Sequence, residues 1–267
     1  MKLFSKILGA LLATSLLSLP AEAVTREEAT LEQSLLVLRE LQAIPDTRIP
    51  DLLLSRAEGI VVLPANVKVG LWFGARFGSG VMLVRNPDRS WSNPVFVKTG
   101  GGSFGAQFGG QVSDIVLVLT TRDSVEGITD GKMTLGADAS VAAGPVGRTA
   151  MASTSVAFDS EIYAYAKSQG LFIGIALEGG GIFIGKKANR QFYGSESSAA
   201  QILASKSPPP APAPDLVAEV SKLTTTGASA SVADDTAKKA AEATAPATEA
   251  KTYPLPDPEP GAEPGGS

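Results

Sequence analysis

Residues 91–119 read WSNPVFVKTGGGSFGAQFGGQVSDIVLVL, and the fold turns on how this stretch is understood. It opens on Trp91 and a turn at Asn93-Pro94 and runs through Gly100, Gly101 and Gly102. It then alternates small with aromatic residues and ends in the apolar run Ile115 to Leu119. β-Branched and aromatic side chains suit a pleated surface, and glycines suit places where backbones approach or bend. The glycines admit three readings: a phosphate cradle, a loop that meets a lipid headgroup through backbone N–H groups, or a bend in a sheet. Gly100-x-Gly102-x-x-Gly105 has the form of a dinucleotide fingerprint. That mechanism needs the third glycine to open a helix facing the pyrophosphate. Phe104 to Val112 reads as extended chain, so the bend is preferred.

Two other stretches share this grammar, GLWFGARFGSG (70–80) and GLFIGIALEGGG (170–181). In the first, Phe73, Ala75, Phe77, Val81 and Leu83 share one parity, while Trp72, Gly74, Arg76, Gly78, Gly80 and Met82 share the other, the period of a half-buried strand. Ile60 to Leu63 reads as a buried strand ending at Pro64. Leu135 to Val141, Met151 to Phe158 and Glu161 to Lys167 alternate as further strands, the last with Tyr163 and Tyr165 opposite Ile162 and Ala164. Arg122 to Gly131 reads as loop or a short helical turn. The expected architecture is α+β: a strongly curved antiparallel sheet or partial barrel with N-terminal helices packed at one side.

Those helices precede the strands. Thr25 and Glu28 form a capping box, and Leu31, Leu35, Leu38 and Gln42 share a face up to Ile44. This helix either packs on the sheet or lies on a membrane through Leu31, Leu35 and Leu38. A second, short helix spans Pro50 to Ala57.

The ends differ in composition from the body. Lys2 and Lys6, the apolar run Ile7 to Leu19 and Ala21-Glu22-Ala23 are the parts of a secretory signal over residues 1–23. The domain is expected over 24–194. Residues 195–267 carry five Lys and ten Asp or Glu, with SPPPAPAP at 207–214 as a stiff spacer. Beyond it the chain reads as an acidic disordered tail, with at most fleeting helix around Asp215 to Leu223 and Asp235 to Glu249.

The tail therefore carries −5 and residues 1–23 carry +1, which gives the formal charge of −4 and leaves the body neutral. A neutral body with no basic stripe argues against nucleic acid as a partner. The chain has no Cys and no His, which removes thiol nucleophiles, imidazole bases and His- or Cys-ligated zinc. Asp114 and Glu178 are the carboxylates placed to act as buried acids, and turn or cap hydrogen bonding is the plainer reading of each. No catalytic, metal or cofactor site is assigned. Lys68, Arg76, Arg85, Arg89 and Lys98 lie near the first strands, and Lys186, Lys187 and Arg190 near the last. A closing sheet brings both groups to one rim, where they are the candidate lipid-binding residues.

AEGIVVLPANVKVG (57–70), FGARFGSGVMLVR (73–85), the opening stretch (91–119), LGADASVAAGPVGR (135–148), IYAYAKSQGLFIGIALEGG (162–180) and NRQFYG (189–194) together resemble the SYLF lipid-binding domain of the yeast actin-patch proteins, which is also widespread in bacteria. The resemblance implies binding to membrane phospholipid, no enzymatic activity and no cofactor. With a signal segment, it implies a periplasmic or extracellular protein whose ligand is a bacterial phospholipid or another envelope component, and for which actin is an unlikely partner. An alternative expectation is a structural or interaction protein of the envelope, meeting a protein partner through 208–267.

Overall fold

The computed structural model describes residues 24–45, 48–70, 73–104, 109–146, 159–168, 171–174, 179–194 and 197–225. The signal segment, the strand expected over 151–158, Gly105, Glu178 and the chain beyond 225 lie outside the described residues.

Helix α1 (Arg26–Ala43) starts as its sequence dictates. Thr25 Oγ1 accepts from Glu28 N–H (3.2 Å), and the Glu28 carboxylate accepts from Thr25 N–H (2.7 Å). A short α2 (Asp51–Ser55) leads into β1 (Gly59–Gly70), β2 (Phe73–Val84), β3 (Val95–Phe104) and β4 (Gly109–Leu119). Of the two readings of 122–131, loop or short helical turn, the helical one is present as α3 (Arg122–Thr129), capped by Thr121. Then come β5 (Lys132–Thr134), β6 (Val141–Ala143), β7 (Ile162–Ser168), β8 (Leu171–Gly174), β9 (Gly180–Ile184), α4 (Lys186–Tyr193) and α5 (Ala199–Ala204). A last helix, α6, covers 213–225.

The strands build one strongly curled half-barrel sheet in the order β5-β9-β3-β2-β1-β4-β7-β6, with β8 paired to β7. The β6–β7 pair is parallel and the others are antiparallel. Pro64 does not end β1. The strand runs on through a bulge between Val62 and Val67, where Ala65 takes a left-handed φ of 51°. Ala65 N–H donates to Asp114 Oδ1 (2.9 Å), so this carboxylate anchors the bulge.

Both faces of the sheet are covered, which explains the continuous apolar runs in its central strands. Ile60, Val62, Val81, Leu83, Val116, Val118, Tyr163 and Tyr165 point to a layer shared with α1, α2 and α6. Val61, Leu63, Met82, Ile115, Leu117, Ile162 and Ala164 point to the other, shared with α3 and α5.

The triple glycine is required at one position. A Cβ on Gly101 would lie 2.6 Å from Gly179 O and 2.7 Å from the Gly180 Cα, both backbone atoms of the chain entering β9. At Gly102 the nearest atom is 3.8 Å away. Gly101→Ala is therefore expected to lower unfolding free energy by about 2–3 kcal/mol, and Gly102→Ala by far less. Urea denaturation of the two variants checks this, and equal losses would contradict it.

Candidate phospholipid-binding site

The basic candidates separate into four groups. Arg85 is 5% exposed. Its Nε donates to Ala57 O (3.1 Å), Nη2 to Leu54 O (3.3 Å) and Nη1 to Arg89 O (3.3 Å), and its guanidinium lies 4.4 Å from the Trp91 ring centre. It closes the end of α2 from inside. Burial first, and then Arg89, push its pKa down to about 10 against the opposing pull of Glu58, which leaves it charged at neutral pH. Arg89 donates to Ser55 O (2.6 Å) and pairs with Glu58 (3.4 Å). Arg85 and Arg89 thus hold the β2–β3 turn to α2. The assignment of Arg85 to a lipid site is corrected, because the Leu54, Ala57 and Arg89 carbonyls use its buried donors, while Arg89 remains exposed.

Lys68 and Arg76 are partners across β1 and β2, both half-buried. Strand alternation puts them on the sheet face opposite to Lys98. Burial lowers the Arg76 pKa from its ordinary value.

Lys98 and Lys187 do meet. They line a cleft of about 280 Å³ between the start of α1, the middle of β3 and α4. Arg26, Glu27, Thr30 and Ser79 complete its polar wall, with Phe96 beneath. Lys98 is placed by its pairing with Ser79 across β2 and β3. Lys187 is placed by α4, which the buried Asn189 fixes to β3: Asn189 Oδ1 accepts from Phe96 N–H (2.8 Å), and its amide donates to Phe96 O (3.3 Å). Three cations against one carboxylate make the cleft electropositive and suited to an anionic group. Arg26 was missed from sequence because Glu27, Glu28 and Glu32 give that helix start an acidic look. Its value comes from the β3 and α4 cations that tertiary structure brings beside it.

Lys186 and Arg190 point away from this cleft into a second one of about 460 Å³, with Asp130, Thr129 and Ser198. The expected common rim is therefore corrected. Helix α4 divides its cations between two clefts, and the β1–β2 pair sits elsewhere.

The membrane-facing reading of α1 is corrected too. Leu31 and Leu38 are each 1% exposed, and Leu35 packs on the same core. Their face covers the sheet. No helix among the described residues is long and apolar enough to cross a membrane.

Residues 100–223 match the Ysc84 family, described as Las17-binding protein actin regulator. The chain carries a Ysc84 (SYLF) family domain. It is 39% identical over 170 residues to LAS seventeen-binding protein 3 of Saccharomyces cerevisiae, covering 62% of this chain and 37% of that protein. It is 39% identical over 186 residues to SH3 domain-containing YSC84-like protein 1 of Rattus norvegicus, covering 67% of this chain and 54% of that protein. The Homo sapiens counterpart is 37% identical over the same length. The chain thus spans between about a third and a half of these relatives. The Ysc84 match runs through 195–223, which the sequence reading had placed outside the domain. The expectation that actin is an unlikely partner is overturned, because the family is described as an actin regulator and relatives bear LAS seventeen-binding names.

Proposed function

We propose that this Ysc84-type domain is a non-catalytic module that binds anionic phospholipid headgroups. The observation that carries this is the cleft where Arg26, Lys98 and Lys187 converge over Phe96. Phosphate oxygens meet the cations along its wall. The relatives' names, which are those of binding and SH3-containing proteins, support a binding role over an enzymatic one. Export directed by residues 1–23 is part of the proposal and places the lipid in the cell envelope. A mature N-terminus at Val24 is its check.

Vesicle co-sedimentation tests the cleft. The protein is expected to pellet with vesicles rich in phosphatidylglycerol and less with phosphatidylcholine alone. Each cation near an anionic surface is worth about 1 kcal/mol, so Lys98→Glu with Lys187→Glu should weaken binding at least about tenfold. Both side chains are exposed, and the double variant should melt as the wild type does. Unchanged pelleting of the double variant would refute the cleft as the headgroup site. A second reading rests on the family description, an actin regulator: direct binding to actin. Co-sedimentation with actin filaments, without lipid, would favour it.

A further inference from the structure

The sheet face under α1 and α6 is covered along only part of its length. Where α1 and α6 lie over it, Val62, Val81 and Val116 are fully buried. Beyond the β1 bulge the same face continues through Val67, which is opposite Phe77 on β2 and Val112 on β4. Here cover is lost: Val69 is 42% exposed, Phe77 50% and Val112 63%. Two residues along β2 from Phe77, Ser79 pairs with Lys98, so this apolar patch adjoins the cleft of Arg26, Lys98 and Lys187 on one face.

We infer that this bare end of the sheet enters the bilayer, with lipid acyl chains as its occupant. The inference rests on the reading of the cleft as a headgroup site and adds a depth to it. Two residues of strand separate Lys98 from Phe77 in register, about 7 Å. Amphipathic elements sink their apolar side about 5–10 Å past the headgroups, so cations at the phosphate level put Phe77 and Val112 among the upper acyl carbons. Charge also selects between occupants. A second copy would offer these cations no opposite charge, because its own patch is flanked by the same three cations. An anionic bilayer offers apolar and negative surface together.

The test uses the absence of cysteine from the chain. Val112→Cys, labelled with an environment-sensitive fluorophore, places the only probe on the patch. Glu126→Cys places it on exposed α3, against the opposite sheet face. With phosphatidylglycerol vesicles, emission at position 112 should shift to the blue and brighten several-fold, quenched by brominated acyl chains, while position 126 stays unchanged. Unlabelled Phe77→Ser should keep its fold by circular dichroism and lose at least about tenfold in vesicle affinity. If the wild type pellets with vesicles but position 112 does not shift and Phe77→Ser binds fully, insertion is refuted and the cleft reading stands. If the wild type does not pellet at all, both fall. A blue shift that grows with protein concentration without vesicles would identify a second copy as the occupant and overturn the inference.

Discussion

A chain ended at Gly194 is expected not to hold its fold. Ala213, Leu216 and Val220 are fully buried, and Ile202 is 3% exposed. Leu216 and Val220 belong to the layer under α1, and Ile202 to the opposite layer. Trp91 Nε1–H donates to Thr224 Oγ1 (3.0 Å), which ties the start of the opening stretch to the last helix, and Arg39 pairs with Glu219 (3.2 Å). Burying one Leu, Ile or Val is worth about 1.5–3 kcal/mol. Losing three of them removes on the order of 5 kcal/mol or more, and leaves Trp91 and the α1 face bare. That is comparable to the whole stability of an ordinary domain. The truncated chain should show weak near-ultraviolet circular dichroism and no cooperative urea transition. Leu216→Asp in the intact chain should reproduce much of the loss by placing a carboxylate in the core. A truncated chain that melts cooperatively at the wild-type temperature would show that α6 is not part of the fold.

The second large effect is at Arg85. Its guanidinium serves three backbone carbonyls in a nearly closed site and stacks on Trp91. Truncation to Ala strands those acceptors and opens a cavity beside Trp91, for a loss of about 3 kcal/mol. Arg85→Lys should recover little, because a compact ammonium cannot reproduce the planar fork that reaches separate carbonyls. The folded fraction of Arg85→Ala should bind vesicles as the wild type does. Lys98→Glu should behave in the opposite way, with binding weakened and stability kept. If Arg85→Ala melts normally and loses lipid binding, the structural role given to it here is wrong.

The contrast between Arg85 and Lys98 shows what was legible in the sequence. Local rules read well. The Thr25/Glu28 capping box, the opposed parities of Tyr163–Tyr165 and Ile162–Ala164, and the curled sheet all follow from short-range pattern, and each is present. Pro64 misled because a proline usually ends a ladder, whereas here a bulge accommodates it and Asp114 takes up the freed N–H of Ala65. Helix α6 was discounted for its proline-rich lead, although Leu216, Val217, Val220 and Leu223 fall on one helical face and pack on the core. The site was the least legible part. A cation on a strand looks the same in sequence whether it meets carbonyls, as Arg85 does, or an open cleft, as Lys98 does. Only the crossing of α1, β3 and α4 separates them, and that crossing depends on Asn189 bonding both sides of the Phe96 peptide.

Amide hydrogen exchange of the intact protein, with and without phosphatidylglycerol vesicles, tests most directly where this domain meets a bilayer. Slowed exchange is expected at the start of α1 around 26–30, along 67–70, 73–77 and 110–113, and at the start of α4, with α3 at 122–129 unchanged. Slowed exchange confined to α3 and the face it covers, or none anywhere in protein that pellets with the vesicles, would contradict the account.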